Sequence, residues 1–324
     1  SHEIDLLAIN DSAPVETNLH LLKYDSIHGT LADKMEKINS DLFKINEKQI
    51  KKFSSKDPTD IPWGELDIDL VLECTGKFND KKLSVKHINA GAKKVLVSAP
   101  AKGVDITAVF GVNHLEIKPD HKVISNASCT TNALAPLAMV LNDTVGIDTA
   151  FMTTIHSYTG DQPTLDRNHK DLYRSRSAAQ SIIPTTTGAA ISVGEVIPQL
   201  KGKLTGNAIR VPTPNVSMAI LSLQLGRDTS REELNEFIRE RALHSDLQQQ
   251  IGFTASKEAV STDFVGSRQA CVLDAHATIV EDSSCILYCW YDNEFGYSCQ
   301  VVRCLEKFAG IVWPMYPKSS VSNS

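Results

Sequence analysis

Short apolar runs separated by polar, helix-like stretches fill the first half of the chain, and this alternation limits the architecture more than any other feature. The runs are "DLLAIN" (5–10), "DLVLEC" (69–74), "KVLVS" (94–98), "TAVFGV" (107–112) and "KVIS" (122–125), each closing near Gly, Asn, Ser or Pro. Between them "TNLHLLKY" and "DKKLSVKHINAGA" read as helices, the second ending at Gly91 and Ala92. Strands alternating with helices predict an α/β region with a parallel, doubly wound sheet. The polar run 31–53 reads as an excursion containing a hairpin around "NSD". Beyond it the pattern changes. Runs at 149–158, 206–213, 215–225, 275–282 and 284–292 are strand-like with few helices between them, which predicts an α+β region with a mainly antiparallel sheet. A long irregular segment, 159–187, has the length of a functional loop. The last helix, from about Tyr297 to Ala309, should dock through Val301, Val302, Leu305 and Phe308.

Length and charge narrow the function classes. At 324 residues the chain exceeds one ordinary core, so two domains are expected. A net charge of −6, evenly spread, argues against a nucleic-acid partner. No apolar run approaches the about 20 residues of a membrane span, and no signal-peptide pattern is present. Seven cysteines without a CxxC pair predict reduced thiols in a cytoplasmic protein. The pairs Cys285/Cys289 and Cys299/Cys304 lack further ligands at zinc spacing, so no metal site is expected and packing is the better account of them.

"SNASCTTNALAP" (125–136) places Cys129 between a short strand and a helix start. There the first backbone N–H groups are unpaired and the dipole is positive, an environment that favours the reactive thiolate. A buried packing cysteine is the ordinary alternative. A partner base is supplied by His156 in "TTIHSYTGDQ", because a helix followed by a returning strand brings it back to the end of the sheet that carries Cys129. Ser128, Thr130, Thr159, Thr187 and Gly188 are donors at turns or helix starts, and Arg174 and Arg210 add charge suited to phosphate. Donors gathered about one nucleophile predict an anionic, phosphate-bearing substrate.

"SNASCTTNALAPLA", "TTIHSYTGDQPTLD", "IIPTTTGAA", "IRVPTPNVS" and "WYDNEFGYS", in that order, resemble phosphorylating glyceraldehyde-3-phosphate dehydrogenases over nearly the whole chain. The resemblance implies a Rossmann-like dinucleotide-binding domain at 1–128, completed by a C-terminal helix at 295–324, and a catalytic domain at 129–294. It implies that Cys129 forms a thiohemiacetal and then a thioester, with His156 as base and acid. Thr159, Asp161 and Arg210 would lie about the substrate phosphate. Ser128, Thr130, Arg174, Thr187 and Gly188 would serve the attacking inorganic phosphate and the reacting centre. Cofactor contacts would come from Asp11, Lys56, Thr75, Ser98 and Asn293, the last holding the nicotinamide carboxamide, and the assembly would be a homotetramer.

Three departures matter. Family members carry a first strand and glycine-rich phosphate loop before the equivalent of "DLLAIN"; here that segment is expected to be missing from the chain as given, through a fragment or a truncation. Ile191 stands where relatives usually carry lysine. Asp11 favours NAD, yet Arg167 and Asn168 replace the apolar residue and proline usual in strictly NAD-dependent relatives, so NADP is expected as a secondary cofactor. Erythrose-4-phosphate dehydrogenase and a non-catalytic relative remain the alternatives; "HSYTGDQ" and "TTTGAA" favour the glyceraldehyde-3-phosphate type.

Overall fold

In the computed structural model, which describes residues 4–311, the alternation of the first half becomes two four-stranded sheets. The described residues divide into two units, one of 4–106, 118–125 and 305–311, the other of 107–117 and 126–304. The first unit begins with β1 (Ala8–Asn10), α1 (Val15–Lys23), the short pair β2 (Tyr24–Asp25) and β3 (Gly29–Thr30), then β4 (Met35–Asn39), β5 (Leu42–Ile45) and β6 (Lys48–Phe53). It continues with β7 (Leu70–Glu73), α2 (Lys81–Asn89), β8 (Lys94–Val97), β9 (Ile106–Thr107) and β10 (Val123–Ser125).

The sheet orders are β1-β6-β5-β4 and β7-β8-β10-β9. Strands β7, β8 and β10 are mutually parallel, with α2 crossing between the first two. Asp80 caps α2 by accepting the Lys82 N–H. The polar run 31–53 is more than an excursion. Its first two strands form the expected hairpin about Ser40 and Asp41, and its third, β6, pairs parallel with β1, Ala8 opposite Lys51. Ile61, Trp63, Val71, Val95, Val97 and Val123 form the core beneath β7, β8 and β10.

The second unit holds α3 (Cys129–Thr144), β11 (Ile147–Ser157), β12 (Ile183–Thr185), α4 (Ala189–Val196), β13 (Leu204–Val211) and β14 (Ser217–Leu225). After these come α5 (Arg231–His244), β15 (Ile251–Thr254), β16 (Cys271–Asp274), β17 (Ile279–Glu281), β18 (Ser284–Tyr291) and α6 (Phe295–Ala309), whose last residues group with the first unit. The sheet order is β12-β13-β11-β14-β18-β16-β15, with β17 on β18. Pairing is antiparallel except for β11 with β13 and β15 with β16. Leu134, Leu137 and Leu141 of α3 pack with Met152, Leu221 and Leu287 of the sheet and Ile238 of α5.

Several elements differ from the sequence reading, among them β12, inside the segment read as irregular, and β15 and β16, which no run had marked. Of "TAVFGV" only Thr107 is strand, because Asn113 accepts the Val109 N–H (2.8 Å) and donates to the Thr107 carbonyl (2.9 Å), replacing ladder bonds with a stapled turn. "AHATIVED" is strand only from 279; Asp274 accepts the Ala277 N–H and turns the chain before it. Helix α5 was not expected, since its buried face is only Leu234, Ile238 and Ala242; its Ser230 cap, accepting the Glu233 N–H, was the available signal. In α6, Val301 and Phe308 are buried but Val302 is 42% exposed; residues beyond 311 of the expected C-terminal helix lie outside the described ones. No helix among the described residues is long and apolar enough to cross a membrane.

Gly91 closes α2 at φ +103°, and a Cβ there would lie 2.4 Å from the Gly64 Cα. Gly91→Ala combines a left-handed backbone with a backbone clash, and should cost about 2–4 kcal/mol. Chemical denaturation of the variant should show a clearly lower midpoint; an unchanged midpoint would mean that the two glycines do not meet in solution.

Candidate active site

The turn joining β10 to α3 is held from three directions. Ser128 caps the helix by accepting the Thr131 N–H at 3.1 Å. Asn132 donates to the carbonyls of Asn126 (2.7 Å) and Ser128 (3.0 Å), and Tyr297 donates to the Ala127 carbonyl at 2.9 Å. Ala127 adopts φ +55°, a strained conformation for a residue with a Cβ, and these bonds hold it there. Cys129 is thereby the first residue of α3, at the positive end of the helix.

Strand β11 delivers His156, and its Nε2 lies 3.5 Å from the Cys129 sulfur. Because β11 and β13 run parallel in register, His156 is directly opposite Arg210, on the same face. The ring Nδ1 lies 2.7 Å from the Ser157 carbonyl, an acceptor, and 2.9 Å from Arg210 Nη1, a donor; donation to the nearer carbonyl puts the ring proton on Nδ1 and leaves Nε2 facing the thiol as an acceptor. Arg210 donates to the same carbonyl at 2.6 Å, which brings Nη1 within 2.9 Å of Nδ1. Its Nε is buried without a hydrogen-bond partner. Tyr291 supports the group from below, its hydroxyl bonded to Thr130 Oγ1 (3.0 Å) and Thr154 Oγ1 (2.7 Å) with its ring edge-on to His156.

Electrostatics correct one expectation of the helix-terminus argument. Burial pushes the Cys129 thiol up, against the Thr130 bond and the Arg210 charge. Burial and then Arg210 push His156 down to about 3. Both shifts disfavour charge on the cysteine and histidine of the ligand-free chain.

A second cluster lies on the loop after β11. Arg174 donates to Asp161 (2.6 Å), Thr185 Oγ1 (3.1 Å) and the Thr186 carbonyl (3.3 Å), and Thr185 donates to Asp171 (2.8 Å). Burial would raise the Asp161 carboxyl, but the Arg174 bond holds it below its ordinary value. Arg174 also contributes to lowering His156, so the two clusters share one field. Thr159 stands two residues after β11. Thr187 and Gly188 open α4, Gly188 as its N-cap and Thr187 accepting the Ala189 N–H at 3.2 Å.

Residues 128–293 match the family described as glyceraldehyde 3-phosphate dehydrogenase, C-terminal domain, and residues 1–81 match its NAD binding domain. The chain is 50% identical to glyceraldehyde-3-phosphate dehydrogenase of Xanthobacter flavus, over 91% of this chain and 88% of that one. It belongs to the glyceraldehyde-3-phosphate dehydrogenase family. The enzymes of the same name from Cereibacter sphaeroides (49% identity, 91% of this chain, 88% of that one) and Geobacillus stearothermophilus (48%, 93% and 89%) are further relatives.

Membership in the glyceraldehyde-3-phosphate dehydrogenase family brings a nicotinamide cofactor into question, and Asn293 supplies a physical test. Its Oδ1 accepts from Ser217 at 2.8 Å, fixing the amide, while its Nδ2 is buried without a partner. A carboxamide carbonyl is the kind of acceptor that orphan needs, so the residues present fit NAD. In the first unit Asp11 is exposed and accepts the Ala13 N–H, Lys56 is exposed, and Thr75 and Ser98 sit at the carboxyl ends of β7 and β8. Sequence reasoning overlooked Asn132, Tyr291, Tyr297 and Ser217. All four stand inside quoted motifs, but only their contacts show that they hold other residues in place.

The low value for His156 fixes a sign. Between about 3 and the ordinary 6.5 the unfolded chain binds a proton that the folded chain refuses, so the stability contribution of His156 rises with pH across that window and is lost on acidification. In the ligand-free protein the His156 ring resonances should stay at their neutral position from about pH 8 to 5. A titration midpoint at or above the ordinary 6.5 would show that burial and Arg210 do not hold the ring neutral.

Proposed function

We propose that this chain oxidises glyceraldehyde 3-phosphate to 1,3-bisphosphoglycerate, using NAD and inorganic phosphate, the activity for which its relatives are named. The observation that carries the reading is a thiol 3.5 Å from an acceptor imidazole nitrogen, beside the guanidinium of Arg210. Cys129 Sγ attacks the aldehyde carbon while its proton passes to His156 Nε2. His156 returns that proton to the former carbonyl oxygen, completing the thiohemiacetal. It takes the hydroxyl proton again as the carbon is oxidised to a thioester. NAD, when bound, accepts the hydride of that oxidation. Inorganic phosphate then attacks the thioester carbon, sulfur leaves, and His156 reprotonates it.

Arg210 and Thr159 hold the substrate phosphate in this reading; Arg174, Thr187 and Gly188 hold the attacking phosphate. Asp161 is a carboxylate and would repel either anion, so its part is to orient Arg174. Ser128 and Thr130 already have partners in Thr131 and Tyr291, which supports a part in placing Cys129. Residues 1–128 with the C-terminal helix would carry the cofactor and 129–294 the chemistry. Exposed Leu165, Leu172, Ile182 and Ile191 suit subunit contacts, and a homotetramer is the assembly inferred. Seven unbonded cysteines suit the cytoplasm.

Mixing the chain with glyceraldehyde 3-phosphate and NAD should release a burst of one reduced cofactor per site, with turnover afterwards requiring inorganic phosphate. Absence of the burst would favour a non-catalytic relative. Arg210→Ala should raise KM for the phosphorylated aldehyde about 10- to 100-fold and leave an unphosphorylated aldehyde used about as poorly as before. Equal losses with both would make Arg210 structural.

NAD is the preferred cofactor, and we infer secondary use of NADP through Arg167. Loop residues 166–170, with Leu172, Ser175 and Arg176, line an open concavity. Comparing kcat/KM for both cofactors in Arg167→Leu tests this: the NADP to NAD ratio should fall, and an unchanged ratio would leave specificity to Asp11 alone.

A further inference from the structure

The cluster about Arg174 closes into a circuit through a side chain that no step above uses. His169 lies on the loop between β11 and β12, its side chain 14% exposed. Its Nε2 is 3.3 Å from Asp161 Oδ1; an ionised carboxylate only accepts, so Nε2 carries the hydrogen. Its Nδ1 is 2.9 Å from the Asp171 N–H and 3.1 Å from the Asp171 carbonyl; the nearer group is a donor, so Nδ1 accepts. The imidazole is thereby pinned on one side and donates on the other. Asp161 takes His169 on Oδ1 and Arg174 on Oδ2. Arg174 donates onward to Thr185 Oγ1, Thr185 to Asp171 Oδ2, and Asp171 back to His169. Burial would raise the Asp161 carboxyl; the Arg174 bond and then the His169 bond hold it below its ordinary value.

Within that circuit only Thr185 stands in the sheet, buried on β12 opposite Ala208. The circuit therefore ties the loop at 161, 169–171 and 174 to one strand. A guanidinium has five N–H groups. Arg174 spends Nε on Thr185, one Nη1 hydrogen on Asp161 and one Nη2 hydrogen on the Thr186 carbonyl, which leaves two for a ligand. Charge alone does not draw an anion here, because the guanidinium stands with two carboxylates, Asp161 and Asp171. What the circuit supplies is direction: the two remaining N–H groups point where Asp161 and Thr185 hold the fork. Asp161 is the looser of those holders. Its side chain is 48% exposed, and the terminal torsion of an aspartate is broad. Without the His169 bond, water would take Oδ1 and the carboxylate would turn.

We propose that His169 is a positioning residue for the attacking phosphate: donating to Asp161 from an imidazole pinned on Asp171, it fixes the carboxylate that aims Arg174. The inference rests on the reading of Arg174 as a holder of inorganic phosphate. The two halves of the reaction separate its test, because the burst of reduced cofactor precedes phosphate attack and steady turnover requires it. His169→Asn keeps an acceptor for the Asp171 N–H but is too short to reach Asp161. It should raise KM for inorganic phosphate about tenfold and leave the burst rate and KM for the aldehyde within about twofold. His169→Gln carries its amide donor out to about the place of Nε2 and should bring KM for phosphate back towards that of the parent. In an Asp161→Ala background His169→Asn should add nothing, since the two residues act as one unit. An unchanged KM for phosphate in His169→Asn, a Gln variant as poor as the Asn one, or an additive loss beside Asp161→Ala would overturn the proposal. A burst slowed as much as turnover would reduce His169 to a structural part. Arg174→Ala tests the reading beneath: if it leaves KM for phosphate unchanged, or if the parent shows no burst, that reading fails and this inference with it. A raised KM in Arg174→Ala with an unchanged one in His169→Asn would sink the positioning role alone.

Discussion

The parallel register between β11 and β13 decides what chemistry the second unit can do. It sets His156 opposite Arg210 over an eight-residue ladder that runs from Ala150 and Leu204 to Ser157 and Val211. A slip of one residue would send one of the two to the opposite face of the sheet. Helix α3 packs on that same sheet through Leu134, Leu137 and Leu141, so the first residue of α3 arrives at the end of the strand that carries His156. Thiol, imidazole and guanidinium are joined by one sheet and one helix, without help from the long loop.

The surroundings of the thiol and the imidazole disfavour charge on either. A helix terminus offers a thiolate partial positive charge at the surface, worth about 0.3–1 kcal/mol. Removing a sulfur and an imidazole from water works against charge on either, and Arg210 adds a like charge beside the ring. In the ligand-free chain burial wins. Negative charge beside Arg210 and Arg174 would oppose their effect on the His156 ring.

Much of this was legible in the sequence, and the limits have physical causes. Cys129, His156 and the start of α3 are local signals: a cap, a turn and a strand of alternating residues. Elements with little apolar content, such as α5, or with a strand-like composition overruled by one side chain, such as 107–112 under Asn113, were misread because the deciding contact lies outside the window. Asn132, Tyr291 and Tyr297 escaped for the same reason. Each acts by holding another residue, and a polar side chain that will be buried looks the same in sequence as one that will be solvated. The resemblance to known dehydrogenases named candidate ligand contacts and was silent about the residues behind them.

The pairing of β1 with β6 also bears on how the chain acquires its shape. Strands β4, β5 and β6 follow one another through tight turns, one at Ser40 and Asp41 and one through Asn46 in the left-handed conformation, so this meander is built from near neighbours. Joining Ala8 to Lys51 instead closes a long loop, whose entropy must be met before any bond rewards it. The meander should therefore assemble early and act as a template on which the parallel strand is laid late. Mutations in the 40–46 turns would then slow folding, whereas changes in β1 would mainly hasten unfolding.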